Sequence, residues 1–201
     1  MTYYAELGHV EPKMYPEPRI SKALFANKSL ASLWAVVRVY LGYLWLVAGW
    51  GKITSSAWVG PDAGGPIIGF LNNALSLTTG EHPSVQVWYA WMIERIFLPN
   101  AFVMSHLVAF GQVLVGIALI VGFLTGISAF IGGLMNASFL LAGAVSTNPV
   151  MFILATWLVL AWRVAGYYGL DYWVLPRLGA PRHERQQDAE MMMEDTQDGS
   201  T

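Results

Sequence analysis

Between residues 101 and 159 the chain carries no Asp, Glu, Lys or Arg. As a helix, that stretch would be about 88 Å long at 1.5 Å per residue, enough to cross a ~30 Å hydrocarbon layer more than twice. A water-soluble domain has no means of covering so long an uncharged segment. The rest of the chain agrees. Only 12% of its 201 residues are charged and 55% are hydrophobic, where soluble domains carry about 25% charged residues. The loops between apolar segments are too small to house a separate soluble enzyme domain.

Four apolar segments stand out, and the reading is an all-α membrane protein, a four-transmembrane-helix bundle. The first span covers residues 33–53, with Arg38 inside it and Lys52 at its end. The second runs from 101 to 124 after Pro99, and the third from 127 to 145 after a tight Thr125-Gly126 turn. The fourth covers 149–169, where Asn148-Pro149 suits a helix start because proline's missing N–H costs little there. Short connections make the last three antiparallel neighbours. The long first connection, residues 54–100, holds a turn-rich part (60–66), a short helix (67–77) and an amphipathic segment (85–98). The last carries Trp88, Trp91, Ile96 and Phe97 beside Glu94 and Arg95, and fits the membrane interface, where aromatic rings settle. Three regions follow: a tail (1–30), the membrane domain (31–178) and an acidic, aperiodic tail (179–201) expected to be disordered.

Charge and composition exclude several functions. A net charge of −2 and the absence of a basic helix or zinc spacing argue against nucleic-acid binding. Without cysteine there is no disulfide, iron–sulfur cluster, thiolate metal site or thiol relay in this chain. No P-loop, dinucleotide glycine motif, catalytic triad, metal motif or haem-ligand pair is found. The first 28 residues lack the apolar core of a signal peptide and read as a cytoplasmic tail. Lysines and arginines gather in both tails (Lys13, Arg19, Lys22, Lys28; Arg177, Arg182, Arg185), while the long connection offers Lys52 and Arg95. The positive-inside rule then puts both termini in the cytoplasm, and the setting expected is a prokaryotic cytoplasmic membrane.

Candidate site residues come from polar groups at membrane depth. Arg38, Gly42, Trp45, Gly49 and Lys52 follow the spacing 4, 3, 4, 3 and share one helix face. The glycines admit either a neighbouring helix or a flat ring; the cations suit an anion or quinone carbonyl oxygens, or are met by backbone carbonyls and by snorkelling to the surface. In span two, His106 and Gln112 lie six residues apart and project about 120° from each other, so they do not share a face. His106 at the outer end is a candidate for proton exchange with a quinol or for a bond to a neighbouring helix. Ser128, Gly132 and Asn136 recur every fourth residue in span three, and the Asn136 amide needs a partner, structural or ligand. Asp171, the only acid between Glu94 and Glu184, lies level with Arg38 and Arg163 and is expected to form an ion pair there. Gln112, Asn136, Arg163 and Asp171 are thus candidates for structural polar roles.

An Arg early in span one followed by LGYLWLVAGWGKI (residues 41–53), a tryptophan-bearing first connection, the run from 108 to 143, a Ser-Thr-Asn-Pro turn and a closing GLD together resemble the DoxX/DoxD family. The resemblance extends from about Arg38 to Leu178. It implies a four-helix membrane protein. In the DoxD branch it implies the large membrane subunit of a thiosulfate:quinone oxidoreductase, which oxidises thiosulfate to tetrathionate and reduces a quinone. It points to Arg38, Gly42, Gly49 and Lys52, and to quinone as substrate or bound ligand. Where family members often carry Glu in span two, this chain has Gln112, an amide that takes up no proton.

Two functions are therefore expected: a membrane subunit of a quinone-linked oxidoreductase, or a non-catalytic accessory subunit of a larger respiratory or photosynthetic complex. Either has the bilayer and other membrane or redox subunits as partners. A transporter is disfavoured, because no broken helix or inverted repeat is visible. The orientation is open to a direct test: cysteines introduced by Ser21→Cys and Ser76→Cys are expected to react with an impermeant reagent from opposite sides of the membrane. Labelling of the Ser21 position in intact cells would overturn it.

Overall fold

The computed structural model describes residues 18–179; the first 17 residues and residues 180–201, including the tail expected to be disordered and Lys13, Arg182 and Arg185, lie outside the described residues. Among the described residues every regular element is helical. A short helix α1 (Arg19–Phe25) leads into α2 (Ala31–Ile53). The connection that follows holds α3 (Ser56–Val59), α4 (Gly65–Ser76) and α5 (Val87–Met92), the last running on into a π turn, Ile93–Phe97. Then come α6 (Ala101–Val121), α7 (Thr125–Leu141) and α8 (Asn148–Leu160). Short helices α9 (Trp162–Ala165) and α10 (Asp171–Val174) follow, and a 3-10 turn, Leu175–Leu178, closes the described chain.

The helices expected from sequence are present with shifted ends. Span two stops at Val121, because Gly122 turns left-handed (φ 69°) and its N–H and that of Phe123 close back onto Leu119 and Ala118. The third helix begins at Thr125 rather than 127, so the turn expected at Thr125-Gly126 lies instead at residues 122–124, where Gly122 and Leu124 are left-handed; it ends at Leu141, four residues short of 145. The fourth is broken at Ala161, beyond which α9 resumes for one turn. At the start of α8, Pro149 sits in the first turn and the Asn148 amide donates back to the Ala144 carbonyl at 2.8 Å.

Glycine decides which long helices touch most closely. A Cβ on Gly42 would lie 2.9 Å from the Gly116 carbonyl oxygen; one on Gly49 would lie 2.7 Å from the Val113 amide nitrogen; one on Gly116 would lie 2.6 Å from the Leu46 nitrogen. Helices α2 and α6 therefore meet backbone to backbone along this seam. Next to it α7 packs on α8, and α8 and α9 lean on α2. One apolar core around Trp34, Leu41, Trp45, Leu119 and Leu158 fills the interior. A second, around Ile67, Leu71, Tyr89 and Ile93, seats the connection on α6 and α7. The Tyr89 hydroxyl fixes that seat by donating to the Ser138 carbonyl at 2.8 Å, and burial pushes its pKa upward.

The outer face is as apolar as the core. Val36, Val47, Leu107, Leu114, Ile127, Phe130, Leu134, Ile153 and Leu160 all point outward from the four long helices. A continuous apolar surface of that kind is favourable only against lipid or another apolar body. Two segments, Lys28–Ile53 and Ala101–Val121, are long and apolar enough to cross a membrane; α7 and α8 are shorter apolar helices.

Substitutions at the seam should separate tight from open glycines. Gly49→Ala and Gly116→Ala each push a methyl into backbone and should lower stability by about 1–3 kcal/mol. Gly51→Ala on the same helix meets nothing within 4 Å and should be neutral or stabilising. Thermal unfolding in detergent measures all three.

Candidate functional site: an open cavity and a charge-clamped turn

The buried charges sit at one end of the molecule, where the α6–α7 turn meets the segment before α10. Arg38, only 2% exposed, donates from Nη1 to the carbonyls of Leu119 (2.8 Å) and Ile120 (3.4 Å) and from Nη2 to that of Tyr168 (3.0 Å). Two of those carbonyls belong to the last turn of α6, where the helix dipole favours a cation. Asp171 does the reverse. Its carboxylate accepts from the backbone N–H groups of Leu124 (2.6 Å) and Thr125 (2.8 Å), at the start of α7, where an anion is favoured. The chain around it is bound to the same turn, Leu170 N–H to the Val121 carbonyl and Asp171 N–H to that of Gly122.

Three glycines clear the way. A Cβ on Gly122 would collide with the Arg38 guanidinium. One on Gly166 would lie 2.5 Å from Asp171 Oδ2, and one on Gly169 would lie 2.8 Å from the Gly122 Cα. Leu124, at φ 45°, occupies a left-handed conformation that costs a non-glycine residue about 1–3 kcal/mol; the carboxylate bond to its N–H holds it there. The expected ion pair is thus replaced. Arg38 spends its hydrogen bonds on backbone carbonyls at the end of α6 and at Tyr168, and Asp171 on backbone N–H groups at the start of α7; Arg163 takes no part: it is exposed, its guanidinium 5.1 Å from the Trp162 ring.

At the other end of α2 lies a cavity of about 330 Å³, within the size range of small-ligand sites. Its walls come from Trp45, Ala48 and Lys52 of α2, Trp58 of α3, Phe70 of α4, Gln112 of α6, Phe139 of α7 and Asn148 and Met151 of α8. Phe70 and Phe139 meet edge to face at 6.1 Å, joining the connection to α7. Lys52 donates to the Ala48 carbonyl at 3.1 Å and holds its ammonium 5.1 Å from the Trp58 ring. Gln112 is buried, and its Oε1 has no hydrogen-bond partner.

Of the residues expected to form one ligand face, the fold brings Trp45 and Lys52 to the cavity and takes the others elsewhere; Gln112, expected in a structural polar role, joins them in its wall. Gly42 and Gly49 are filled by α6, which leaves no room for a ring beside them. His106 is outside: its ring nitrogens face the carbonyls of Phe102 (2.8 Å) and, across the connection, Val59 (3.2 Å). With Ser105, whose hydroxyl donates to the Trp58 carbonyl, it ties α3 to α6. Asn136 is fully buried with both amide atoms unpartnered, and the Trp45 indole nitrogen, also unpartnered, would lie 3.0 Å from a Cβ on Gly132. Trp58, Phe70, Phe139 and Asn148 complete the cavity without having been marked by sequence. Each is an ordinary apolar or turn residue until the connection folds back against α6 and α7.

A family model described as "TQO small subunit DoxD" matches residues 34–187, over three-quarters of the chain. The chain belongs to the DoxD family. No curated protein and no solved structure matches it. The matched region covers both the clamped turn and every cavity-lining residue. The resemblance given above assigns this branch to the large subunit; the family description names the small one, and that assignment replaces it. Family membership and two membrane-length apolar helices make this DoxD protein a membrane protein.

The clamp carries its own test. Asp171→Leu strands the Leu124 and Thr125 N–H groups and leaves Arg38 without its nearby counter-charge, and should cost about 3–5 kcal/mol. Asp171→Asn, which keeps an acceptor, should cost less. Thermal unfolding checks both, and ligand affinity per folded molecule should not change in Asp171→Asn, because the cavity lies at the opposite end of α2.

Proposed function

We propose that this DoxD protein is a membrane subunit of a quinone-linked oxidoreductase, a thiosulfate:quinone oxidoreductase by its family, and that the cavity receives the quinone head group. The observation that carries the reading is Gln112, a buried amide with an unpartnered oxygen in the wall of an aromatic cavity. A quinone ring is flat and apolar with polar oxygens on opposite edges. Trp45, Trp58, Phe70 and Phe139 offer it faces and edges. The Lys52 ammonium, with donors beyond its one bond to Ala48, suits a carbonyl oxygen whose negative charge grows as electrons arrive. Gln112 suits the other polar edge, as acceptor for a quinol hydroxyl or donor to a quinone oxygen. An amide does not deliver protons, so Lys52 is the titratable group of this wall.

The same reading takes α2, α6, α7 and the α8–α9 pair as four membrane crossings. At 1.5 Å per residue α7 is about 26 Å long and α8 with α9 about 27 Å, close to the thickness of the hydrocarbon core. Both termini then lie on the cytoplasmic side and the cavity opens toward the outer half. Thiosulfate oxidation, two S₂O₃²⁻ to one S₄O₆²⁻, supplies the two electrons that, with two protons, turn a quinone into its quinol.

Reduction of a short-chain quinone by thiosulfate in membranes containing the assembled complex tests this. Gln112→Leu and Lys52→Gln should each weaken quinone binding about tenfold, the loss of one good hydrogen bond to a polar edge. Binding is read from quenching of tryptophan fluorescence. Folded, assembled protein that neither binds quinone nor changes activity in these variants would overturn the site and leave the accessory-subunit reading in its place.

A further inference from the structure

We infer that the clamp end of the molecule is a docking surface for anionic phospholipid. Exposed cations collect there: Arg19 and Lys22 on α1, Lys28 just after it, Arg163 on α9 and Arg177 after α10. Among the described residues the acid at this end is Asp171, which is buried and committed to the α7 N-terminus. Asp62, Glu81 and Glu94 all belong to the connection between α2 and α6, at the other end. Arg19, Lys22 and Arg163 have no acidic partner among the described residues. Among the described residues the exposed charges of this surface are thus of one sign, and their complement is an anion.

The neighbouring apolar groups identify which anion. Ile20 and Leu24, one turn apart on α1, are 80% and 40% exposed, beside the cations Arg19 and Lys22. Helix α1 is held in place rather than dangling: the Trp34 indole donates to the Leu24 carbonyl at 2.9 Å, the Phe25 and Trp34 rings lie 5.7 Å apart, and the Lys28 ammonium is 6.0 Å from the Tyr167 ring. Tyr168, Leu170 and Trp173 are exposed around the same rim. A soluble anion would use the cations and gain nothing from these side chains. A phospholipid uses both, its phosphate among the Lys and Arg heads and its glycerol and upper acyl chain against Ile20, Leu24 and the aromatic rings. Arg163, with its guanidinium on the Trp162 face, keeps two or more donor edges free for phosphate oxygens.

Electron spin resonance of the full chain in vesicles of equal parts phosphatidylcholine and phosphatidylglycerol, with spin-labelled versions of each lipid in turn, tests the inference. The unmodified chain should hold phosphatidylglycerol in preference to phosphatidylcholine, and less so as salt is raised. The variant Arg19→Gln/Lys22→Gln/Arg163→Gln should lose most of that preference, by about fivefold for each cation removed at low salt. Arg95→Gln, at the other end, should keep it. Thermal unfolding of the triple variant should match that of the unmodified chain, since all three side chains are exposed. A preference unchanged in the folded triple variant overturns the inference, and so does its absence from the unmodified chain. A preference seen only after removal of residues 180–201 also overturns it, because the acidic stretch from Asp188 to Asp198, not lipid, would then occupy the surface.

Discussion

Two opposite charges buried at the α6–α7 turn hold the architecture together without touching each other. Helix α6 ends with carbonyls beyond its regular hydrogen-bond ladder, and after three intervening residues α7 begins with N–H groups in the same condition. In an apolar surrounding each such group is costly to leave unmade. Arg38 answers the first set and Asp171 the second. Because Arg38 belongs to α2 and Asp171 to the segment after α9, closing this one turn fixes four distant parts of the chain relative to one another. The close approach demands glycine at 122, 166 and 169, and the left-handed Leu124 is tolerated because the carboxylate holds its N–H.

From that anchor the glycine seam carries order along the bundle. Gly42, Gly49 and Gly116 bring α2 and α6 into backbone contact, so the position of Arg38 at one end sets that of Lys52 and Gln112 at the other. The seam stops where the connection begins. There α3, fastened to α6 through Ser105 and His106, and α4 wall the cavity together with α8. Packing is tight at one end of the molecule, and an open, aromatic-walled space lies at the other.

The split explains which polar residues were readable. Arg38 and Asp171 are prominent in sequence because charge at membrane depth is rare, but rarity does not say what the charge meets. The residues at one helical spacing on α2 were expected to form one ligand face; in the fold they divide, the glycines to α6, Arg38 to the clamp, Trp45 and Lys52 to the cavity. Helical periodicity gives a direction around the axis and nothing about which body lies in that direction. Gln112 and His106 were separable from sequence, because six residues of α-helix rotate them apart, and the structure sends one inward and the other to the Val59 carbonyl.

Sequence alone determined an all-α fold made for an apolar solvent, the order of its long helices and the family. These depend on local properties: an uncharged stretch of nearly sixty residues, glycine and proline at helix ends, and an ordered set of short motifs. The tertiary structure alone decided that Arg38 and Asp171 bind backbone rather than each other, and that α6 fills the glycine face. It also decided that Trp58, Phe70, Phe139 and Asn148 wall a cavity. Each of these is a contact between residues far apart in the chain, and the spacing of residues along one helix carries no information about the neighbour that comes to lie against it.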